Sequence, residues 1–189
     1  MQNPEIKVQP VTADHWEDLA QLFGPSGAYS GCWCMFWRIK GSEFSANGNK
    51  GNKAAMHKIV ARDEIPGLLA YVNGRPVGWI SLGPRQLFGR IERSPLFKAV
   101  DKEPVWSVVC FFIAHDNRGL GVGKELLRAA EEYARAQGAR TLEAYPIDTG
   151  ERKVDPAGIF TGTEKIFKRA GFKEVARRKK RRPIMRKVI

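Results

Sequence analysis

The stretch Val105 to Gln137 constrains this chain more than any other. Its first ten residues, VWSVVCFFIA, are apolar at odd and even positions alike. A half-exposed strand alternates, so a run with no polar face belongs in the middle of a sheet covered on both sides. The nine residues that follow, HDNRGLGVG, include three glycines. From Val122 to Gln137 the period changes: Leu126, Leu127, Ala130, Tyr133 and Ala134 fall on one helical face, and Gly138 ends the run. Strand, glycine turn and helix start in this order leave N–H groups unpaired at the end of the strand, where the helix dipole favours an anion.

Three phosphate-binding patterns compete for this turn, and spacing separates them. A P-loop needs Gly-Lys-Ser/Thr at a fixed offset from its first glycine, yet Gly123-Lys124 is followed by Glu125 and position 118 is Arg. A dinucleotide fingerprint needs a third glycine where Lys124 stands. What remains is R-x-x-G-x-G, as Arg118, Gly121 and Gly123, between an apolar strand and an amphipathic helix. This resembles the pyrophosphate-binding motif of the GNAT superfamily of acyl-CoA-dependent N-acyltransferases. Ile166 to Phe172 (IFKRAGF) is similar to that family's late helix ending in Gly-Phe. The alternative is a glycine turn that holds no ligand.

The resemblance implies a co-substrate, acetyl-CoA, and assigns residues to it. Phe111, Phe112 and Ile113 would offer backbone groups to the pantetheine arm. The N–H groups of Gly119, Leu120, Gly121, Val122, Gly123 and Lys124 would hold the pyrophosphate, with Arg118 in the motif and the Lys124 and Arg128 side chains adding charge. It implies an acceptor amine on a small molecule or peptide, no metal, and attack within a ternary complex.

Two expected acid/base positions are substituted. The late-helix tyrosine of many members is Phe167 here, and the strand glutamate is Ser107. Tyr145, at the end of the neighbouring strand, is the replacement candidate for the acid; the other reading is a core tyrosine with a satisfied hydroxyl. Ser107 is the candidate for ordering a water, or else a packed strand serine. Glu143, expected to face solvent, and His115, in the turn, rank behind them. Such help is worth roughly 10²–10⁴-fold, whereas juxtaposing amine and thioester supplies more.

The rest of the chain reads as one α/β domain over residues 1–189: a mixed, mostly antiparallel, splayed sheet flanked by helices. Ile6 to Val8, Leu68 to Val72, Val77 to Leu82, Thr141 to Tyr145, Phe172 to Ala176 and Ile184 to Val188 read as strands. Asn73-Gly74 marks a hairpin between the second and third. Trp16, Leu19, Ala20 and Phe23 share a helical face, Gly41 to Asn52 reads as a mobile Ser/Asn/Gly loop, and a helix follows from Lys53 to Arg62. The irregular segment Pro84 to Pro104 is expected to lie over the surface or a cleft.

Cys32, Trp33, Cys34, Met35, Phe36 and Trp37 form an aromatic and thiol cluster. Trp33, Phe36 and Trp37 either line the acceptor pocket or pack the core. The three cysteines lack zinc-ligand spacing, and no sequence neighbour supplies a base to activate a thiol. The formal charge of +12 includes the unbroken basic run Arg177 to Arg182. That run either contacts nucleic acid, as a binding module without catalysis, or projects solvated charge from a hairpin. No apolar run reaches the ~20 residues of a membrane span, and the first ten residues lack a secretion signal's apolar core. A cytoplasmic monomer or homodimer is the expectation.

Overall fold

The computed structural model describes residues 5–150 and 156–189. The Pro/Gly-rich excursion from 146 to 158 therefore falls partly outside the described residues. Seven strands are described: β1 (Ile6–Pro10), β2 (Gly67–Val72), β3 (Arg75–Pro84), β4 (Trp106–Ile113), β5 (Thr141–Ala144), β6 (Lys173–Lys179) and β7 (Arg182–Val188). They form one sheet in the order β1-β2-β3-β4-β5-β7-β6, antiparallel except for the parallel β4–β5 pair. The helices are α1 (Trp16–Phe23), α2 (Gly41–Val60), the single turn α3 (Gly89–Glu92), α4 (Val122–Ala136) and α5 (Glu164–Arg169). None of the described helices is long and apolar enough to cross a membrane.

The central strand is covered on both faces, as its unbroken apolar run requires. On one face Val108, Leu82, Ile80 and Leu142 pack against Leu126, Leu127 and Ala130 of α4 and Phe167 of α5. The other face is divided. Leu69, Tyr71 and Trp79 meet α1 and α2 through Leu19, Phe23 and Met56, and meet Trp33 of the segment between those helices. Val109, Tyr145 and Ile184 lie under Trp37, Phe88, Ile91 and Phe97. The last three belong to the irregular 84–104 segment, which thus covers the sheet. The hairpin between β2 and β3 turns at Asn73 and Gly74 with φ of 50° and 73°, the doubly left-handed turn that Asn-Gly supplies.

Two readings are corrected by the structure. Gly41 to Asn52 is not a loop: it is the first part of α2, kinked at Gly48. Low helix propensity is overridden by tertiary bonds. Asn49 accepts from the Trp33 indole at 2.6 Å and donates to the Pro25 carbonyl at 2.7 Å, and Asn52 donates to the Gly31 carbonyl at 3.0 Å. At Gly31 a Cβ would come within 2.9 Å of the Asn49 Cα, so only glycine admits the helix this closely. The basic run does lie in a hairpin, but its strands are longer than expected: β6 extends to Lys179 and β7 starts at Arg182, leaving Lys180 and Arg181 as the turn.

Candidate active site

The site begins where β4 leaves β5. The two strands pair only over Trp106 to Val108 against Leu142 to Ala144. On its other side β4 slips register against β3 between Val108 and Cys110, leaving Val109 as an unpaired bulge. A bulge bends its strand and increases the local twist, which opens the V between β4 and β5. Beyond it, successive N–H groups alternate between the β3 side and the open side. The Phe111 N–H points into the opening and donates to the Phe160 carbonyl at 2.6 Å, while the Ala114 N–H donates back to Val77 on β3 at 2.9 Å. Phe111 and Ile113 thus present backbone groups to the open edge. The expectation for Phe112 is corrected by this alternation, because its N–H and C=O face β3.

The strand runs directly into the glycine turn. Arg118 folds back so that its Nε donates to the Ile113 carbonyl at 3.1 Å. Gly119 and Gly121 have φ of 81° and 86°, and Gly121 caps α4 in the left-handed region. Side-chain-bearing residues pay steric strain there, which glycine avoids. Among the described residues, the N–H groups of Gly119, Leu120, Gly121, Val122 and Gly123 meet no acceptor. Five consecutive donors at the start of a 15-residue helix form a cradle for an anion. Lys124 is corrected in one respect: its N–H is taken by the Gly121 carbonyl at 3.0 Å, so only its exposed ammonium is available. Arg128 is corrected likewise, because Glu125 and Glu132 hold its guanidinium at 2.8 and 2.5 Å.

Where β4 and β5 are still paired, Tyr145, Ser107 and Glu143 come together, all fully buried. Tyr145 donates to Glu143 Oε1 at 2.6 Å and accepts from Arg85 Nη1 at 2.8 Å. With that proton committed, Ser107 Oγ at 2.8 Å is the donor to the same hydroxyl. Arg85 also reaches Glu143 at 2.8 Å, and Arg186 binds its other oxygen at 2.7 Å. The expectation that Glu143 faces solvent is corrected: two arginines compensate its burial. Burial, with the Glu143 charge beside it, holds the Tyr145 hydroxyl well above its ordinary pKa. Its one proton and both lone pairs are used within the core, so as placed it presents no proton to a departing thiolate. Phe167 is buried against Phe111 and Phe172. His115 stands exposed beside Asp116.

The aromatic cluster splits into two parts. Trp33 belongs to the core: it is buried, stacks on Trp16, and gives its indole proton to Asn49. Its expected place in an acceptor pocket is corrected by this packing. Phe36 and Trp37 instead face Phe160 at ring separations of 6.0 and 6.1 Å, beside the open edge of β4. Behind them lie the thiols. A hydrogen bond from Cys110, set against burial and joined by the Trp79 indole at 3.3 Å, lowers the Cys34 pKa to about 7. Cys110 correspondingly keeps its proton. Sequence neighbours supplied no such partners, because Trp79 and Cys110 approach from β3 and β4. Arg85 and Arg90 were missed for the same reason: both lie in the irregular 84–104 segment, where no period marks an inward side chain. A cavity of about 560 Å³ between α2 and Met35 to Ile39 shares no lining residue with the turn or the open edge.

Residues 33–154 match the family model described as the acetyltransferase (GNAT) family. An uncharacterized N-acetyltransferase of Methanocaldococcus jannaschii is 25% identical over 168 residues, 88% of this chain and 60% of that protein. The chain thus spans about three fifths of the length of this curated relative. Among solved structures, the PaiA N-acetyltransferase of Thermoplasma acidophilum in complex with coenzyme A aligns with a TM-score of 0.57 at 15% identity, covering 98% of this chain and 99% of that one. A ribosomal-protein-alanine N-acetyltransferase of Brucella melitensis aligns with a TM-score of 0.55 at 19% identity, over 97% and 99% of the two chains. At these identities the two structures speak for the fold alone.

Proposed function

Because the chain belongs to the acetyltransferase (GNAT) family, we propose that it transfers an acetyl group from acetyl-CoA to a primary amine by direct attack in a ternary complex. One observation carries the reading: β4 parts from β5 after Val108 and runs into five N–H groups, from Gly119 to Gly123, that have no acceptor among the described residues. An extended arm and a pyrophosphate need those two features in that order. In this reading Phe111 and Ile113 pair with the pantetheine, whose amide competes with the Phe160 carbonyl for the Phe111 N–H. The turn amides hold the pyrophosphate, and the Lys124 ammonium adds charge without fixing geometry.

The amine lone pair attacks the thioester carbonyl; a C–N bond forms, the C–S bond breaks, and CoA leaves as thiolate while the amine proton passes to solvent. A thiolate with an ordinary pKa near ~8.5 departs without an acid, so positioning supplies most of the rate. Tyr145 and Ser107 act here as positioning residues. Their network fixes β4 against β5 at the last paired residues before the strands separate. A CoA-binding module without turnover is the second reading, favoured by the buried Phe167 and the committed Tyr145 hydroxyl.

The test is thermal shift with CoA followed by free-thiol release from acetyl-CoA over an amine panel. Stabilisation by CoA and amine-dependent thiol release are expected. Absence of any CoA shift overturns the donor site, and a shift without turnover on any amine establishes the binding module instead. Gly121→Ala is expected to reduce the CoA shift, because a Cβ at this φ strains the cradle by about 1–3 kcal/mol.

A further inference from the structure

Some of the described arginines are balanced by carboxylates and others are not. Arg85, Arg128, Arg177 and Arg186 each hold one or more carboxylates within 4 Å. Arg38, Arg90 and Arg182 are three that hold none among the described residues, and each lies over an aromatic ring, Arg38 over Phe88 at 4.8 Å. The Arg90 guanidinium lies 4.1 Å over the ring of Phe36 and 5.5 Å from that of Phe44. Arg182 lies 5.1 Å over Phe97, and its nearest polar side-chain contact is Thr161 at 3.4 Å. Phe36 and Phe97 are joined through Trp37, at 4.8 and 5.8 Å. Trp37 thus stands between two uncompensated cations.

Two donors at this place are buried and unused. The Trp37 indole N–H has no acceptor, and neither has Arg90 Nε. The two residues adjoin through the backbone, where the Arg90 N–H donates to the Trp37 carbonyl at 3.1 Å, and both side chains pack on Phe36. Buried N–H donors are paired in folded proteins almost without exception, and desolvated guanidinium groups need an anion. Trp79 and Trp33, the two indoles buried nearby, both have acceptors. The adjoining Arg38 Nε is likewise buried with no acceptor among the described residues, so the stretch 37–38 and Arg90 together lack negative charge and hydrogen-bond acceptors.

We infer that the acceptor amine carries a carboxylate, bound by the Arg90 guanidinium and the Trp37 indole N–H, with Arg182 adding attraction from the far side of the aromatic rings. The inference deepens the amine-acetylation reading and rests on it for the position of the amine. The carboxylate supplies the two acceptor lone pairs that the orphaned donors lack. Phe36 and Phe160 cover the carbon skeleton between carboxylate and amine. The substrate class is amino acids and related amino acids with a free carboxylate; amines with no acidic group leave both donors dry and unpaired, and sites of this kind reject such analogues strongly.

The experiment compares matched pairs that differ only in the carboxylate, phenylalanine against phenethylamine and leucine against isoamylamine, by thiol release from acetyl-CoA. In parallel, calorimetry measures binding of N-acetyl-phenylalanine and N-acetyl-phenethylamine to the protein with CoA present. The expected result is a preference of at least thirtyfold in kcat/KM for a carboxylate-bearing member, carried by KM, and tighter binding of the acid product. Arg90→Gln is expected to erase the preference by raising KM for the carboxylate-bearing member of each pair, with the CoA thermal shift retained, and Arg90→Lys to restore part of it. Equal turnover within both pairs, or equal binding of both products, overturns the inference. If no amine is acetylated but the acid product still binds in an Arg90-dependent way, the carboxylate site stands and the acetylation reading fails.

Discussion

Tyr145 is the residue at which sequence and structure differ most usefully. Its place at the end of a strand bordering the site was legible, and so was its candidacy once Phe167 and Ser107 stood at the usual acid/base positions. What no local pattern conveyed is that its hydroxyl is spent. The partner that fills it, Arg85, lies 60 residues earlier, and the carboxylate it serves is held by Arg186, 43 residues later. Removing this hydroxyl leaves Glu143 and Arg85 short of a partner in a buried network. Tyr145→Phe is accordingly expected to cost about 1–3 kcal/mol in urea unfolding. Its pKa, raised by burial, gives the pH dependence a definite sign. Below the unfolded value near ~10 both states keep the proton; above it the unfolded chain ionises first and stability falls. Tyr71, raised by burial and by Asp18, acts in the same direction. The alkaline loss of stability should therefore shrink in Tyr145→Phe, not vanish, while the pH–rate profile keeps its shape. A changed alkaline limb of kcat would make the tyrosine an acid after all.

Strong periodicity made some elements readable and tertiary contact hid others. β4 and α4 follow from an unbroken apolar run and a helical stripe, and Asn73-Gly74 fixes the β2–β3 hairpin. The parallel register of β5 on β4 has no such signature, because three paired residues separated by a helix leave nothing periodic to read. α2 failed for a different reason. Gly41, Ser42, Ser45, Asn47, Gly48, Asn49, Gly51 and Asn52 are poor helix formers, and propensity alone predicts a loop. The asparagines are there for what they hold: Asn49 clamps Trp33 and the Pro25 carbonyl, and Asn52 the Gly31 carbonyl. The helix exists because the 25–33 turn needs those amides. Asn49→Ala removes both bonds and leaves a buried indole N–H unpaired, so a loss of about 1–3 kcal/mol is expected in urea unfolding. A loss within a few tenths would return the helix to propensity and packing alone.

At the scale of the whole molecule, a formal charge of +12 suggests an anionic partner, yet most of the conspicuous basic run is committed within the chain. Arg177 holds Asp148, Glu164 and Glu174 at 2.9, 3.1 and 2.7 Å. Arg178 donates to the Leu96 and Lys98 carbonyls, Arg181 to that of Asp148, and Arg182 covers Phe97. The run therefore fastens the β6–β7 hairpin to the 84–104 cover and to α5. Of its six cations, Lys179 and Lys180 have no acceptor for their side chains among the described residues. Tight electrostatic binding to a polyanion needs many phosphates neutralised together, each worth about one unit of salt slope. Arg178, Arg181 and Arg182 keep their charge but are turned onto carbonyls and a ring of the chain itself. The two lysines at the hairpin tip are left to reach phosphates with a slope near ~2, and duplex DNA or RNA should give no retained complex at micromolar protein and ~150 mM salt. The committed ion pairs predict a second behaviour. The Gly150 amide and Arg177 lower the Asp148 pKa, and Arg177 lowers that of Glu174. Their contribution is complete above the unfolded carboxylate range near ~4 and disappears as pH falls through the lower folded values. Arg177→Gln removes the main cause of the Glu174 shift and part of the cause of the Asp148 shift. Its neutral-pH stability should fall below that of wild type by an amount that shrinks as pH drops through the carboxylate range, and its acid-unfolding midpoint should lie at higher pH. A wild-type midpoint in the variant, joined to a lost nucleic-acid complex, would instead identify Arg177 as a phosphate contact.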